Sequence, residues 1–139
     1  MDENRMIAEL VYDEELRLWP YYDKYGNLTI GVGRNLKAKG ISRDEAMMLL
    51  VHDIEAAMAD LDRRVPGWRA LTEERQRVLI NMCFNMGILR LLGFKKFLQY
   101  VSTGQYEAAR AEMLDSVWAT QVGDRATRLA DMMFKKEIA

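Results

Sequence analysis

The stretch Glu14-Glu15-Leu16-Arg17-Leu18-Trp19-Pro20-Tyr21-Tyr22-Asp23-Lys24-Tyr25-Gly26-Asn27-Leu28-Thr29-Ile30-Gly31-Val32-Gly33 decides how this chain is read. Ahead of it, Met6, Ile7, Leu10 and Val11 recur at helical spacing and predict an amphipathic helix. Pro20 ends any helix, so Leu16, Leu18, Tyr21 and Tyr22 read as extended chain. Asp23 to Asn27 is a turn, with Gly26 and Asn27 suited to the positive φ of a tight reversal. Leu28 to Gly33 follows as a β-rich run whose glycines mark a bulge or a close backbone approach. One small hairpin is the expectation.

Beyond Gly40 the pattern is helical almost to the end. Ser42 and Glu45 form a capping box, opening a helix with Ala46, Leu50, Ile54, Ala57 and Leu61 on its apolar face. Val65-Pro66-Gly67 stops it. Thr72 caps the next helix, and Gly87 closes it. Val78, Leu79, Met82, Cys83 and Met86 make that helix apolar around much of its circumference, so it is expected at the buried centre. Shorter helices are predicted around 94–101, 106–114 and 125–134. The fold class is α+β, with a small N-terminal β-hairpin lobe and a mainly helical C-terminal lobe. Residues 1–139 make one domain of two lobes, joined by the helix that begins near residue 43.

Composition excludes more than it assigns. Half of the residues are hydrophobic, enough for a real core, yet no run is long enough to span a membrane. The first residues lack the basic and apolar segments of a secretory signal, so synthesis in a cytoplasm is the expectation. A net charge of −1 with interspersed signs gives no nucleic-acid footprint. Cys83 is the one cysteine, so no intramolecular disulfide forms, and its apolar neighbours mark it as an inert core residue. His52, the one histidine, has no companion ligands for a metal.

The decisive stretch also carries carboxyl groups in two different settings. Hydrolysis of a glycosidic bond commonly needs one carboxyl that stays protonated to donate to the leaving oxygen. It needs another that stays ionised on the opposite side. Asp13-Glu14-Glu15, at a helix end, supplies a position of the first kind; Asp23, at the mouth of the turn, supplies the second. Thr29, across the hairpin, has a hydroxyl able to hold a water against Asp23. Spacing alone does not establish this, because carboxylates at helix ends and in turns are ordinary solvated groups.

The whole run from Glu14 to Gly33 resembles the active-site signature of the phage-type lysozymes. The spacing from Glu14 to Asp23 and on to Thr29 matches without a gap. Ile80 to Gly87 is similar to that family's central-helix segment, Gly93-Phe94 to its continuation, and Ser116-Val117-Trp118 with Asp124-Arg125-Ala126 to its C-terminal cleft segment. The resemblance implies a lysozyme-like fold and a muramidase acting on bacterial peptidoglycan. Glu14 is then the general acid, and Asp23 and Thr29 flank the water. It further implies that Arg125 reaches toward the acid, with Tyr21, Asn35, Phe84, Asn85 and Trp118 contacting the glycan; for Phe84 and Trp118, core packing is the competing reading. An inverting mechanism and the absence of a cofactor or metal follow from the same likeness; composition argues against stable membrane association and a nucleic-acid partner, and a monomer is the default expectation. The likeness also implies an endolysin held in the host cytoplasm until lysis.

Four departures from the family pattern stand out. Glu15 occupies a position usually held by glycine, where a positive φ would cost on the order of 1 kcal/mol. Arg34 stands where several members have histidine, and is expected to pair with Asp53. The segment between Gly33 and Ser42 is short, and the chain is not strongly basic. Two alternatives remain open at this point: a lytic transglycosylase, and a degenerate lysozyme fold that binds the wall without cutting it.

Overall fold

The computed structural model describes residues 1–135; the last four residues of the expected 1–139 domain lie outside them. The chain divides into two compact units, residues 1–49 and 50–139.

In the first unit, helix α1 (Glu3–Glu14) starts at Asp2, whose carboxylate accepts from the Arg5 N–H at 3.1 Å. Strands β1 (Leu16–Tyr22) and β2 (Leu28–Val32) then pair antiparallel around the expected turn. The bulge is real and lies in β1. Between the pairs Arg17–Gly31 and Tyr21–Thr29, the residues Leu18, Trp19 and Pro20 face Ile30 alone. Pro20 thus sits where no ladder N–H is required.

The hairpin expectation falls short by one strand. A two-residue β3 (Arg34–Asn35) pairs with β2, giving a three-stranded sheet in the order β1-β2-β3, and a one-turn helix α2 (Leu36–Lys39) follows. Both pieces are too short to show a periodicity. The expected Arg34–Asp53 pair is replaced by Arg34–Glu45 at 2.8 Å, with a second Arg34 bond to the Gly40 carbonyl at 3.3 Å. Asp53 lies eight residues beyond Glu45, roughly 12 Å further along a helix axis, whereas Glu45 is in the first turn beside Gly40.

Helix α3 (Arg43–Arg64) opens with the predicted box: Glu45 N–H donates to Ser42 Oγ at 3.1 Å, and Ser42 N–H donates to Glu45 Oε1 at 2.9 Å. Its apolar stripe is buried only at Ala57 and Leu61. A 3-10 turn (Trp68–Ala70) precedes α4 (Glu73–Met86), α5 (Ile88–Leu92), α6 (Lys95–Ser102), α7 (Tyr106–Leu114), α8 (Val117–Val122) and α9 (Asp124–Phe134). Helix α4 is the centre of the second unit, as its sequence predicts, with Val78, Leu79, Met82 and Cys83 buried. Leu61, Trp68, Leu91, Phe97, Met113, Leu129 and Met133 close around it. The Cys83 thiol donates to the Ala57 carbonyl at 3.8 Å. Burial, then the nearby Asp60 charge, push its pKa up, so the thiolate is disfavoured.

Candidate active site

Glu14 is the last residue of α1, and the chain turns sharply just after it. Glu15 has φ 64° and ψ 142°, and among the described residues it is the one non-glycine with positive φ. Its N–H caps the helix on the Val11 carbonyl at 3.0 Å, and the chain leaves at once into β1. This is the glycine-type geometry that the family resemblance implies, imposed here on a glutamate. The Glu15 carboxylate lies 3.5 Å from Arg17, whose guanidinium stacks 4.3 Å from the centre of the Tyr21 ring.

The Glu14 carboxyl rests against the backbone where β2 passes into β3. A Cβ on Gly33 would lie 2.8 Å from Glu14 Oε2. Ile7, Leu10, Val11, Val32 and Gly33 line a recess of about 350 Å³ together with Glu14. Within its own unit Glu14 has no hydrogen-bond or ion-pair partner among the described residues, so its carboxyl is available to a ligand.

Asp23 is held differently. Its Oδ1 accepts from the N–H groups of Asn27 at 2.8 Å and Tyr25 at 2.9 Å, and Oδ2 takes a longer bond, 3.4 Å, from Asn27 Nδ2. The Asn27 backbone bond chiefly, with Tyr25 and the Asn27 amide helping, keeps the Asp23 carboxyl below the usual carboxylate range. Asp23 is therefore ionised, with Oδ2 the less engaged oxygen. Thr29 is buried, and its hydroxyl donates to the Asn27 carbonyl at 2.8 Å. It can therefore meet a water only as acceptor, not by donating toward Asp23. Tyr21 faces Thr29 across the ladder. Asn35 pairs with Thr29 from β3, and its Oδ1 accepts from Ala38 N–H at 3.0 Å as the cap of α2. The backbone thus uses its side-chain oxygen.

The other expected residues belong to the second unit. Trp118 is 5% exposed and packs in the core, and its indole N–H donates to Asn85 Oδ1 at 2.8 Å. Phe84, by contrast, is 45% exposed. It lines a recess of about 410 Å³ with Leu50, Ile54, Ile80, Arg77 and Arg125. Arg125 donates through Nε and Nη2 to Asn81 Oδ1 at 2.9 and 2.6 Å. Asn81 is not among the residues that the family resemblance assigns to the site, although the sequence carries one signal for it. It stands four residues before Asn85, so α4 aims two amides along one face, each fixing a side chain from the C-terminal segment. Among the described residues no group of three or more His, Cys, Asp or Glu is placed to hold a metal. No described helix is long and apolar enough to cross a membrane.

A mainly helical protein with a small three-stranded antiparallel sheet at its N-terminus is a lysozyme-like α+β fold. The family model described as phage lysozyme matches residues 12–132, and the chain belongs to that family. It is similar to the pre-baseplate central spike protein Gp5 of Enterobacteria phage T4, at 28% identity over 91% of this chain but only 27% of the spike protein. It is also similar to two proteins of Dictyostelium discoideum named as probable T4-type lysozymes. Lysozyme 2 is 27% identical over 86% of this chain and 88% of its own length; lysozyme 1 is 27% identical over 89% and 90%. Family membership supports a glycosidase activity of the lysozyme type.

Proposed function

We propose that this protein is a muramidase that hydrolyses the β-1,4 bond between N-acetylmuramic acid and N-acetylglucosamine in bacterial peptidoglycan. Glu14 gives its proton to the glycosidic oxygen as the C–O bond breaks. A water attacks the anomeric carbon from the opposite face, with inversion, and its proton passes toward Asp23. Thr29 accepts a hydrogen bond from that water. Tyr21, Asn35, Phe84, Asn85 and Arg125 contact the glycan, and Trp118 acts through Asn85. The observation that carries this reading is the contrast between the two carboxyls. Glu14 lies unpaired beside apolar side chains, while backbone N–H groups hold Asp23 as the anion. The likeness to lysozymes favours a monomeric phage or prophage endolysin, kept in the host cytoplasm until it reaches the wall.

The test is digestion of purified peptidoglycan with analysis of the released fragments by mass spectrometry. Reducing N-acetylmuramic acid ends are expected, and Glu14→Gln should lower their rate of release by about 10²- to 10⁴-fold with the melting temperature unchanged. Anhydro ends would replace the hydrolase by a lytic transglycosylase. Wall binding without fragments would leave a non-catalytic lysozyme fold.

A further inference from the structure

Gly33 is set apart from the other left-handed glycines by what surrounds it. It has φ +68°, and the three atoms nearest to a Cβ there would all belong to Glu14: Oε2 at 2.8 Å, Cδ at 3.0 Å and Cγ at 3.3 Å. Gly31, two residues earlier in β2, has nearly the same backbone angle, φ +71°, with nothing within 4 Å of its missing Cβ. Both need glycine for the backbone conformation. Only Gly33 also needs it for the space.

We infer that Gly33 is a positioning residue for the general acid: the absence of its Cβ forms the seat on which the Glu14 carboxyl rests. This rests on the reading of Glu14 as the acid. Within the first unit no hydrogen bond or ion pair among the described residues fixes that carboxyl. Steric support from Gly33, with Val11, Leu10 and Val32 beside it, is what restricts the Glu14 side chain. The group a Cβ would strike is the free end of a flexible side chain, not backbone. A methyl at residue 33 therefore displaces the carboxyl and leaves the fold in place. A displacement on the order of 1 Å at a reacting group costs about a hundredfold in rate.

The experiment compares Gly33→Ala with Gly31→Ala, matched in backbone strain, on a soluble glycan of alternating N-acetylglucosamine and N-acetylmuramic acid. Both variants should melt at similar temperatures below the wild type. Gly33→Ala should lose roughly 100-fold in kcat with KM changed by less than about twofold, while Gly31→Ala keeps kcat within about threefold. If Gly33→Ala is not folded at the assay temperature, Gly33→Asn takes its place. Asparagine tolerates positive φ better and carries the same Cβ, so the same kcat loss is expected. A residue-33 variant that is folded and matches Gly31→Ala in kcat, or that changes only KM, overturns the positioning role. Failure of the underlying reading shows separately: Glu14→Gln would then retain activity, whatever Gly33→Ala does.

Discussion

The two units are stabilised in different ways. In residues 50–135 a contiguous set of side chains, among them Leu61, Leu79, Met82, Leu91, Phe97 and Met133, is 0–1% exposed. In residues 1–49 Thr29 alone is buried, and even the apolar stripe of α1, Met6, Ile7, Leu10 and Val11, is 37–54% exposed. The first unit is held instead by short-range hydrogen bonding: the Asp2 cap, the Asp23 turn, the β ladder, the Asn35 cap and the Ser42–Glu45 box. Burial stabilises a fold cooperatively, whereas caps and turns contribute about 1 kcal/mol each and fix the geometry of particular atoms. The unit with little core is the one that carries Glu14, Asp23 and Thr29. Precision at these residues comes from backbone N–H groups and glycine geometry rather than from packing.

The sharpest way to break the comparison is a core truncation. Phe97→Ala, removing a ring that is 1% exposed and packed edge-on against Phe94, should cost about 3–5 kcal/mol. The loss is expected in the unfolding of the helical unit, followed by denaturant melts, while the amide signals of residues 16–35 in nuclear magnetic resonance spectra keep their positions below the transition. A collapse of those hairpin signals together with the core would mean that the first unit has no integrity of its own.

The contrast also explains what could be read from the sequence. Helix α4 was legible because a buried helix shows apolar residues on several faces over 14 residues, and α3 because its capping box is a local chemical signal. The turn at Asp23 was legible for the same local reason. Strand β3, with two residues, and helices α2, α5 and α8, with four, five and six, were not, since a periodicity needs about two turns to be seen. For the candidate site, the spacing within a family signature is what singles out Glu14, Asp23 and Thr29. The partner choices of Arg34 and of the Thr29 hydroxyl were not legible. Each depends on which of several nearby acceptors the folded backbone brings within about 3 Å. Trp118 shows the same limit: an aromatic residue in a functional segment reads alike whether it faces a ligand or, as here, the core.

Glu15 sharpens the comparison from the other side. A glutamate at φ 64°, ψ 142° occupies backbone territory that favours glycine, at a cost of about 1–3 kcal/mol. Its one compensation, the Arg17 pair at 3.5 Å, is more than half exposed on both sides and is worth at most about 1 kcal/mol. The strain outweighs the pair. Glu15→Gly is therefore expected to stabilise the protein by roughly 1 kcal/mol, a rise of about 3 °C in the melting temperature of the whole chain, with lytic activity retained. A lower melting temperature would show that the Glu15–Arg17–Tyr21 chain outweighs the backbone. Loss of activity as severe as in Glu14→Gln would move the acid to Glu15.

The smallest effect concerns pH. Asp23 has its carboxyl held below the ordinary range, chiefly by the Asn27 backbone N–H, and Glu45 likewise, chiefly by the Ser42 N–H. A carboxyl depressed in the folded state favours the fold wherever it is ionised. That contribution is complete above the unfolded value near 4 and is lost as pH falls through the lower folded value. Asp62 behaves alike in the second unit, through Arg69 and Trp68, but there the buried core remains when the charge is gone. Mild acid should therefore loosen the hairpin and the start of α3 before the helical core. The check is the difference in melting temperature between wild type and Asp23→Asn, which keeps the acceptor oxygen without the titration. It should be positive at pH 7 and shrink below pH ~4. A difference that stays constant into acid would mean that the turn is held by its backbone bonds alone, and that the Asp23 charge is kept for chemistry rather than for the fold.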